Sequence, residues 1–254
     1  MTDEIEWMRL TAAELRARAE ADALVIVPVG SLEQHGPHLA TGVDIVLATA
    51  VAERVARRLA DAGAPVVITP TVWTGLAEHH MAFGGTVTLD YDAFAAVLRG
   101  VLRSTQRCGF RRAMLLNGHG GNAEAVAVAA TSVSTEFGMK VAAGTYWHLI
   151  GGAFAPILER QAGVLHACEA ETSMMLALRP DSVRPERLPE AHGPGSTRGD
   201  GQPSALSLRR SFRDVSPSGV IGDARPATVE KGKKLLDTAA ERIAAMLGNA
   251  ALWG

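Results

Sequence analysis

An α/β protein is the fold class this sequence predicts, with a mainly parallel central sheet held between two layers of helices (three-layer α/β/α). Three observations predict it. Apolar runs of strand length alternate with amphipathic stretches of helix length along most of the chain. The runs are apolar throughout rather than every second residue, as in strands covered on both faces. Two of them break at glycine-containing turns, and helix-like stretches follow, as in βα units.

The elements follow in order. Residues 11–21 predict a helix capped by Thr11, with Glu14 at the capping-box position. Residues 24–29, Leu-Val-Ile-Val-Pro-Val, predict a strand, and 43–62 a long amphipathic helix ending before Gly63. Residues 66–69 predict a strand closed by Pro70, 91–108 a helix, 113–116 a strand, 123–137 a helix and 140–145 a strand. Residues 167–178 predict a helix, and 228–247 a closing one. Between them, from about 180 to 223, composition shifts to Pro, Gly, Ser and Arg. That stretch reads as irregular, near the functional site or at an oligomer contact. No internal repeat or low-complexity tract is present, and residues 1–254 read as a single domain.

Composition narrows the function classes. A chain of 254 residues, 47% of them hydrophobic, can bury one sizeable core. A net charge of −2 supplies no basic patch, which argues against nucleic acid as partner. Cys108 and Cys168 are the two cysteines, at no metal-ligand spacing, and a reducing cytoplasm is the expected compartment. Residues 1–10 lack a charged-then-apolar leader, and no apolar run reaches the ~20 residues of a membrane span.

Three segments carry chemistry. The first strand opens into Gly30-Ser31-Leu32-Glu33-Gln34-His35-Gly36-Pro37-His38, and Asp44 follows. Carboxylate and imidazole donors without thiolate suit Zn, Mn or Fe(II). The third strand breaks at Asn117-Gly118-His119-Gly120-Gly121-Asn122, which puts His119 where open α/β sheets bind ligands. A phosphate loop fits this turn poorly, because Gly-x-Gly-x-x-Gly spacing and a following Lys-Ser or Lys-Thr are both missing. In His166-Ala167-Cys168-Glu169-Ala170-Glu171-Thr172-Ser173, helical spacing puts His166 beside Glu169 and turns Glu171 away. Ser31 and Ser173 lie in no Gly-x-Ser-x-Gly elbow, so a serine nucleophile is disfavoured. His38 and His148 read as solvated or locally hydrogen-bonded. His80, in Glu78-His79-His80, reads as a residue lining the substrate pocket.

Taken together, these segments resemble the creatininase (creatinine amidohydrolase) family. So do Phe83-Gly84-Gly85-Thr86-Val87-Thr88-Leu89 and Gly219-Val220-Ile221-Gly222-Asp223, in family order across residues 24–235. The resemblance implies an α/β/α fold, two divalent metal ions (zinc first, manganese or iron as alternatives) and often a hexamer. It implies that Glu33, Asp44 and His119 hold one metal and that His35, Asp44 and a further Glu hold the other. In creatininase that Glu follows the Asn-Gly-His histidine by two positions, which is Gly121 here. Other members place it in the later segment, which gives Glu169. His166 matches the family's catalytic histidine and Trp147 an aromatic beside the site, while Gly120 stands where creatininase has Tyr. Asn117, Asn122 and Glu171 are expected to orient the ligands from behind.

The activity so implied is hydrolysis of a C–N bond in a small linear or cyclic amide by metal-activated water, with His166 protonating the departing nitrogen. The small-molecule amide is the expected partner, with no nucleic acid and no membrane. Creatinine itself is expected to react poorly, because much of the aromatic wall is missing. A metallopeptidase trimming a peptide terminus, and a non-catalytic metal- or ligand-binding protein on the same fold, are the alternatives.

Overall fold

The computed structural model describes residues 4–195 and 210–254. In chain order the elements are α1 (Ala12–Glu20), β1 (Leu24–Val29), α2 (Val43–Asp61), β2 (Val66–Ile68), α3 (Tyr91–Arg107), β3 (Arg112–Asn117), α4 (Ala123–Phe137), β4 (Lys140–Thr145), α5 (Tyr146–Leu149), α6 (Glu169–Leu178), α7 (Phe212–Val215) and α8 (Val229–Leu247). The strands pair in the order β2-β1-β3-β4, and every neighbouring pair is parallel. This is the expected α/β/α fold with its parallel sheet.

Side chains alternate across the sheet. Leu24, Ile26, Val66, Ile68, Met114 and Leu116 face one core, with α2, α6 and α8. Val25, Val27, Val29, Val67, Ala113 and Leu115 face the other, with α1, α3 and α4. Each fully buried Val, Leu or Ile contributes roughly 1.5–3 kcal/mol. With six of six β1 residues buried, that strand has to be apolar throughout.

Local chemistry sets the helix ends. Thr11 and Glu14 form the expected capping box at α1. Asp90 caps α3 through the Ala93 N–H at 2.7 Å, and Thr228 caps α8 through the Lys231 N–H at 3.2 Å. Gly138, at φ +65°, closes α4. The expected helix over 167–178 begins later, at Glu169. Ala167 sits in the left-handed region at φ +51°, which reverses the chain and leaves His166 outside the helix, bridged to Ile221. In the expected irregular stretch the described residues form 3-10 turns over Pro180–Ser182 and Pro185–Glu190, then α7. Residues 196–209 of that stretch lie outside the described residues. Among the described residues, no helix is long and apolar enough to cross a membrane.

Two features of the sheet place the functional residues. The order β2-β1-β3-β4 reverses direction between β1 and β3, and open α/β sheets bind ligands in the crevice beyond such a switch point. The register pairs Val29 with Asn117 and Asn117 with Thr145, so three chains leave the sheet at one level.

Candidate active site

Beyond the ends of β1 and β3, α2 comes down onto both strand exits. Gly30 and Gly118 make this approach available. A Cβ on Gly30 would lie 3.0 Å from the Ile45 backbone, and one on Gly118 would lie 2.9 Å from Ala48 Cβ and 3.1 Å from the Asp44 carbonyl oxygen. The first turn of α2 therefore delivers Asp44 between the two loops, with its carboxylate at a helix N-terminus that favours negative charge.

Glu33, His35, Asp44 and His119 meet there, all buried. His119 Nδ1 lies 3.1 Å from Glu33 Oε2 and 3.0 Å from Asp44 Oδ2. His35 Nε2 lies 3.2 Å from Asp44 Oδ1 and 3.9 Å from Glu171 Oε1. Each imidazole is turned by its other nitrogen. His35 Nδ1 is 3.2 Å from the Glu33 carbonyl oxygen, and His119 Nε2 is 3.2 Å from that of Leu76. Ser31 donates its hydroxyl to Glu33 Oε2 at 2.8 Å, which is its role here. Asn117 donates to the Thr145 hydroxyl at 2.9 Å and accepts the His119 N–H at 3.2 Å. Asn122 donates to the Gly30 carbonyl at 3.0 Å and accepts the Leu76 N–H at 2.9 Å. Both asparagines thus tie the strand-end loops together behind the ligand-type residues.

The donor set suits divalent cations. Glu33 Oε1, Asp44 Oδ2 and His35 Nε2 are buried and make no hydrogen bond, although other cluster atoms lie as close as about 3 Å; the lone pairs are misaligned for N–H donors. Leaving several such atoms unsatisfied costs roughly 1–3 kcal/mol each, and a cation would satisfy them together. Ligand atoms of Glu33, His35 and Asp44 lie within 4.8 Å of one another, as do those of His35, His166 and Glu171, and those of Glu33, His80 and His166.

Charge tells the same story. Burial alone would lower the pKa of His35, but the charges of Asp44, Glu171 and Glu33 outweigh it and hold the imidazole up at about 9. His119, pulled down by burial, is likewise lifted well above its usual value by Glu33 and Asp44. Burial raises Glu171 to about 7, against the pull of His35. Three buried carboxylates therefore call for positive charge, which protons on the imidazoles supply when no cation does. His166 behaves oppositely. Burial and the neighbouring His35, His80 and His119 push it well below its usual value and keep it neutral.

The third segment corrects the sequence reading. Glu169 is fully buried but does not reach the cluster. Its carboxylate takes the Lys231 ammonium at 2.6 Å and the backbone N–H groups of Glu159 and Arg160 at 3.0 Å. Glu171 stands at the cluster instead. The reason is the reversal at Ala167. With His166 off the helix, three-residue spacing no longer pairs it with Glu169, and Cys168 becomes the N-cap. Glu171 at the third helical position turns back toward that cap and toward His35, its Oε2 3.4 Å from the Cys168 N–H.

Other residues also shift. His80, expected on the pocket wall, is buried in the cluster, its Nε2 3.2 Å from Glu33 Oε1. Trp147, expected beside the site, stands edge-on to Tyr146 at 4.8 Å and packs against the α2–α6–α8 core. Gly120 is exposed, and a Cβ there would meet nothing within 4 Å, so that side of the site is open. Gly121 has no such room: a Cβ would lie 2.4 Å from His119 Nε2 and from the Leu76 carbonyl oxygen. Phe212 of α7, which no sequence pattern singled out, covers His80 and His166 with ring centroids at 4.3 and 4.6 Å. His38, expected to be solvated or locally hydrogen-bonded, is instead buried against the hydroxyl of Thr172, a residue far along the chain, at 2.8 Å.

A carboxylate–imidazole centre suited to divalent cations, set at the switch point of a parallel sheet, defines the class of this molecule. The chain belongs to the creatininase family, whose model, described as creatinine amidohydrolase, matches residues 8–247. It is 33% identical over 232 residues to a mycofactocin precursor peptide peptidase of Mycobacterium ulcerans, covering 87% of this chain and 84% of that one. It is 30% identical over 252 residues to the creatinine amidohydrolase of Pseudomonas putida, covering 92% and 93%. A crystal structure of creatininase superposes with a TM-score of 0.83 at 28% identity over 98% of both chains, and a Mn form of creatininase and a Zn–Zn form of a creatininase mutant are among the similar structures.

Proposed function

We propose that this protein is a metal-dependent amidohydrolase that cleaves the C–N bond of a small linear or cyclic amide, with two divalent cations held by Glu33, His35, Asp44, His119 and Glu171. The observation that carries this reading is the set of buried, unbonded Glu33, His35 and Asp44 atoms beside a neutral His166. A divalent cation bound there would polarise an amide carbonyl and bring the pKa of water toward neutrality.

The residues of the chain do the rest. His166 Nε2 lies 2.9 Å from the Gln34 carbonyl oxygen and donates to it, which leaves Nδ1 as a lone pair, 3.8 Å from Glu33 Oε1. That nitrogen is placed to accept a proton from the attacking water and return it to the departing nitrogen. Phe212 shields the imidazole from bulk water and helps keep it neutral. His166→Ala is therefore expected to keep its full cation content and lose about 10²–10⁴-fold in kcat. Loss of a cation in this variant would instead make His166 a ligand.

Proton release gives an independent check. The folded-state pKa of His35 is raised, so its charged form stabilises the cation-free fold fully below its unfolded value of about 6.5. That contribution is lost as pH rises through about 9. Cation affinity runs the other way and rises with pH up to about 9, because the bound nitrogen must shed its proton. Zinc titration of the metal-free protein near pH ~7.5, in two buffers of different ionisation enthalpy, should show proton release. Equal heats in both buffers would contradict the assignment.

The activity itself is tested by measuring the metals in the purified protein and then screening amides with that metal. Creatinine and a short peptide belong in the screen. Hydrolysis of a small amide ahead of both is expected. The open space beside Gly120, together with the likeness to the Mycobacterium ulcerans peptidase, favours a second reading, a metallopeptidase acting on a peptide terminus. Faster cleavage of the peptide would select it, and no cleavage by the metal-loaded protein would reject both.

A further inference from the structure

Gln34 lies between Glu33 and His35 in sequence, and its side chain is buried among groups whose proton positions matter. Its Oε1 accepts the Gly36 N–H at 2.8 Å, which settles which end of the amide is oxygen. The NH₂ end then faces His80 Nδ1 at 2.9 Å, the Gly219 carbonyl oxygen at 3.2 Å and His166 Nε2 at 3.0 Å. An amide NH₂ has two protons and accepts none. The Gly219 carbonyl can only accept, and His166 Nε2 is already committed as a donor to the Gln34 carbonyl oxygen at 2.9 Å. The second amide proton therefore goes to His80, whose Nδ1 must be bare.

We infer that Gln34 is a positioning residue whose amide places the His80 proton on Nε2, the nitrogen that faces Glu33, while its backbone carbonyl fixes the His166 proton on Nε2 and leaves His166 Nδ1 open to the site. His80 Nε2 is 3.2 Å from Glu33 Oε1, the oxygen that Ser31 does not hold, so the proton so placed turns its partial positive charge toward that oxygen without forming an aligned hydrogen bond. The fit is close. Gly219 is at φ +77°, and a Cβ there would lie 2.2 Å from Gln34 Oε1, so the 219 turn reaches the amide only as glycine. The turn continues into Val220 and Ile221, and Ile221 bridges to His166. One amide thus ties the loop of β1, the His80 turn and the strand-like segment of His166 into a single arrangement. A nitrogen that accepts the amide proton carries none of its own, so tautomer rather than charge is what the amide selects at His80.

The consequence for catalysis rests on the proposed amidohydrolase reading, but the tautomers do not. The test is two-bond ¹⁵N–¹H correlation of the imidazoles in the zinc-loaded protein, which reports the protonated nitrogen directly. His80 and His166 should both be Nε2–H in the wild-type protein. Gln34→Glu puts an acceptor where the donor stood, so His80 should switch to Nδ1–H while His166, held by the backbone, stays Nε2–H. If the metal-loaded enzyme cleaves an amide, kcat should fall about tenfold with little change in KM, on the scale of one hydrogen bond to a charged group. Gln34→Met, which offers neither donor nor acceptor, should give His80 a mixture of tautomers. A wild-type His80 carrying its proton on Nδ1 overturns the inference, and this needs no variant to fold. So does an unchanged His80 signal in folded Gln34→Glu. Failure of every amide to react would overturn the proposed activity and leave the tautomer result standing.

Discussion

Asp44→Asn is expected to empty the site of divalent metal and to lower kcat/KM by on the order of 10³-fold or more. Asp44 is the carboxylate, among the described residues, that reaches both His35 and His119. It is therefore the group through which two cations would be coupled. One preorganised charge-stabilising group is commonly worth about 10²–10³-fold, and this substitution removes the group that holds the charge itself. The fold should survive. Asn keeps the volume, so the fold is retained with a lower melting temperature: His35 and His119 hold the Asp44 carboxyl below its usual range, so the lost charge removes a net attraction, and His35 gives up the partner that most raises its pKa. Elemental analysis of the purified variant, with thermal melts before and after chelation, checks both halves. A variant that retains its metal in full would rule out Asp44 as the shared ligand.

The second large effect separates two carboxylates that lie two residues apart. Glu171→Gln should weaken cation binding on the His35 side and lower activity with it, while the metal-free protein melts nearly as the wild type does. Glu169→Gln should do the reverse. Its carboxylate holds the Lys231 ammonium and two backbone N–H groups of the 159–160 turn. Removing that charge should cost about 1–3 kcal/mol, below the full penalty for a broken buried ion pair because Lys231 keeps Glu159 and the Pro226 carbonyl. A chain of this size shifts by roughly 2–4 °C in Tm per kcal/mol. Metal content and Tm measured on both variants give a crossed pattern. Normal metal in Glu171→Gln with loss in Glu169→Gln would restore the assignment suggested by helical spacing.

That reversal shows where reading a sequence stops. A helix over the third segment is correct to within two residues. Whether His166 belongs to it depends on one backbone dihedral, at Ala167, and no residue there announces a left-handed turn as glycine would. Had Cys168 been Ser, Thr or Asp, the three-residue spacing to Glu171 would have marked the capping box and with it the start of the helix. Glu169 is claimed by Lys231, 62 residues further along, and no local pattern encodes that partnership.

His80 and Phe212 make the same point from the other side. A Glu-His-His turn reads as a pocket wall, because nothing nearby says that a buried Gln34 amide is waiting for one of its nitrogens. A single Phe in a Ser-Arg-Pro-rich stretch carries no periodicity at all, yet it covers two imidazoles. Trp147 misleads in the opposite direction. Its place at the end of β4 is right, but the short α5 turns the ring toward the core.

The sequence by itself determined the elements and their layering, since apolar runs, caps and glycine turns act through neighbours a few residues away. That Glu33, His35, Asp44 and His119 belong together came from the family resemblance of their motifs, and strand-end position alone pointed only to a ligand-type turn at each segment. The tertiary structure alone decided which acid of α6 faces His35 and which histidines surround Glu33. Those outcomes depend on contacts of a few ångströms between segments far apart in the chain, where a single backbone turn moves a carboxylate from one partner to another.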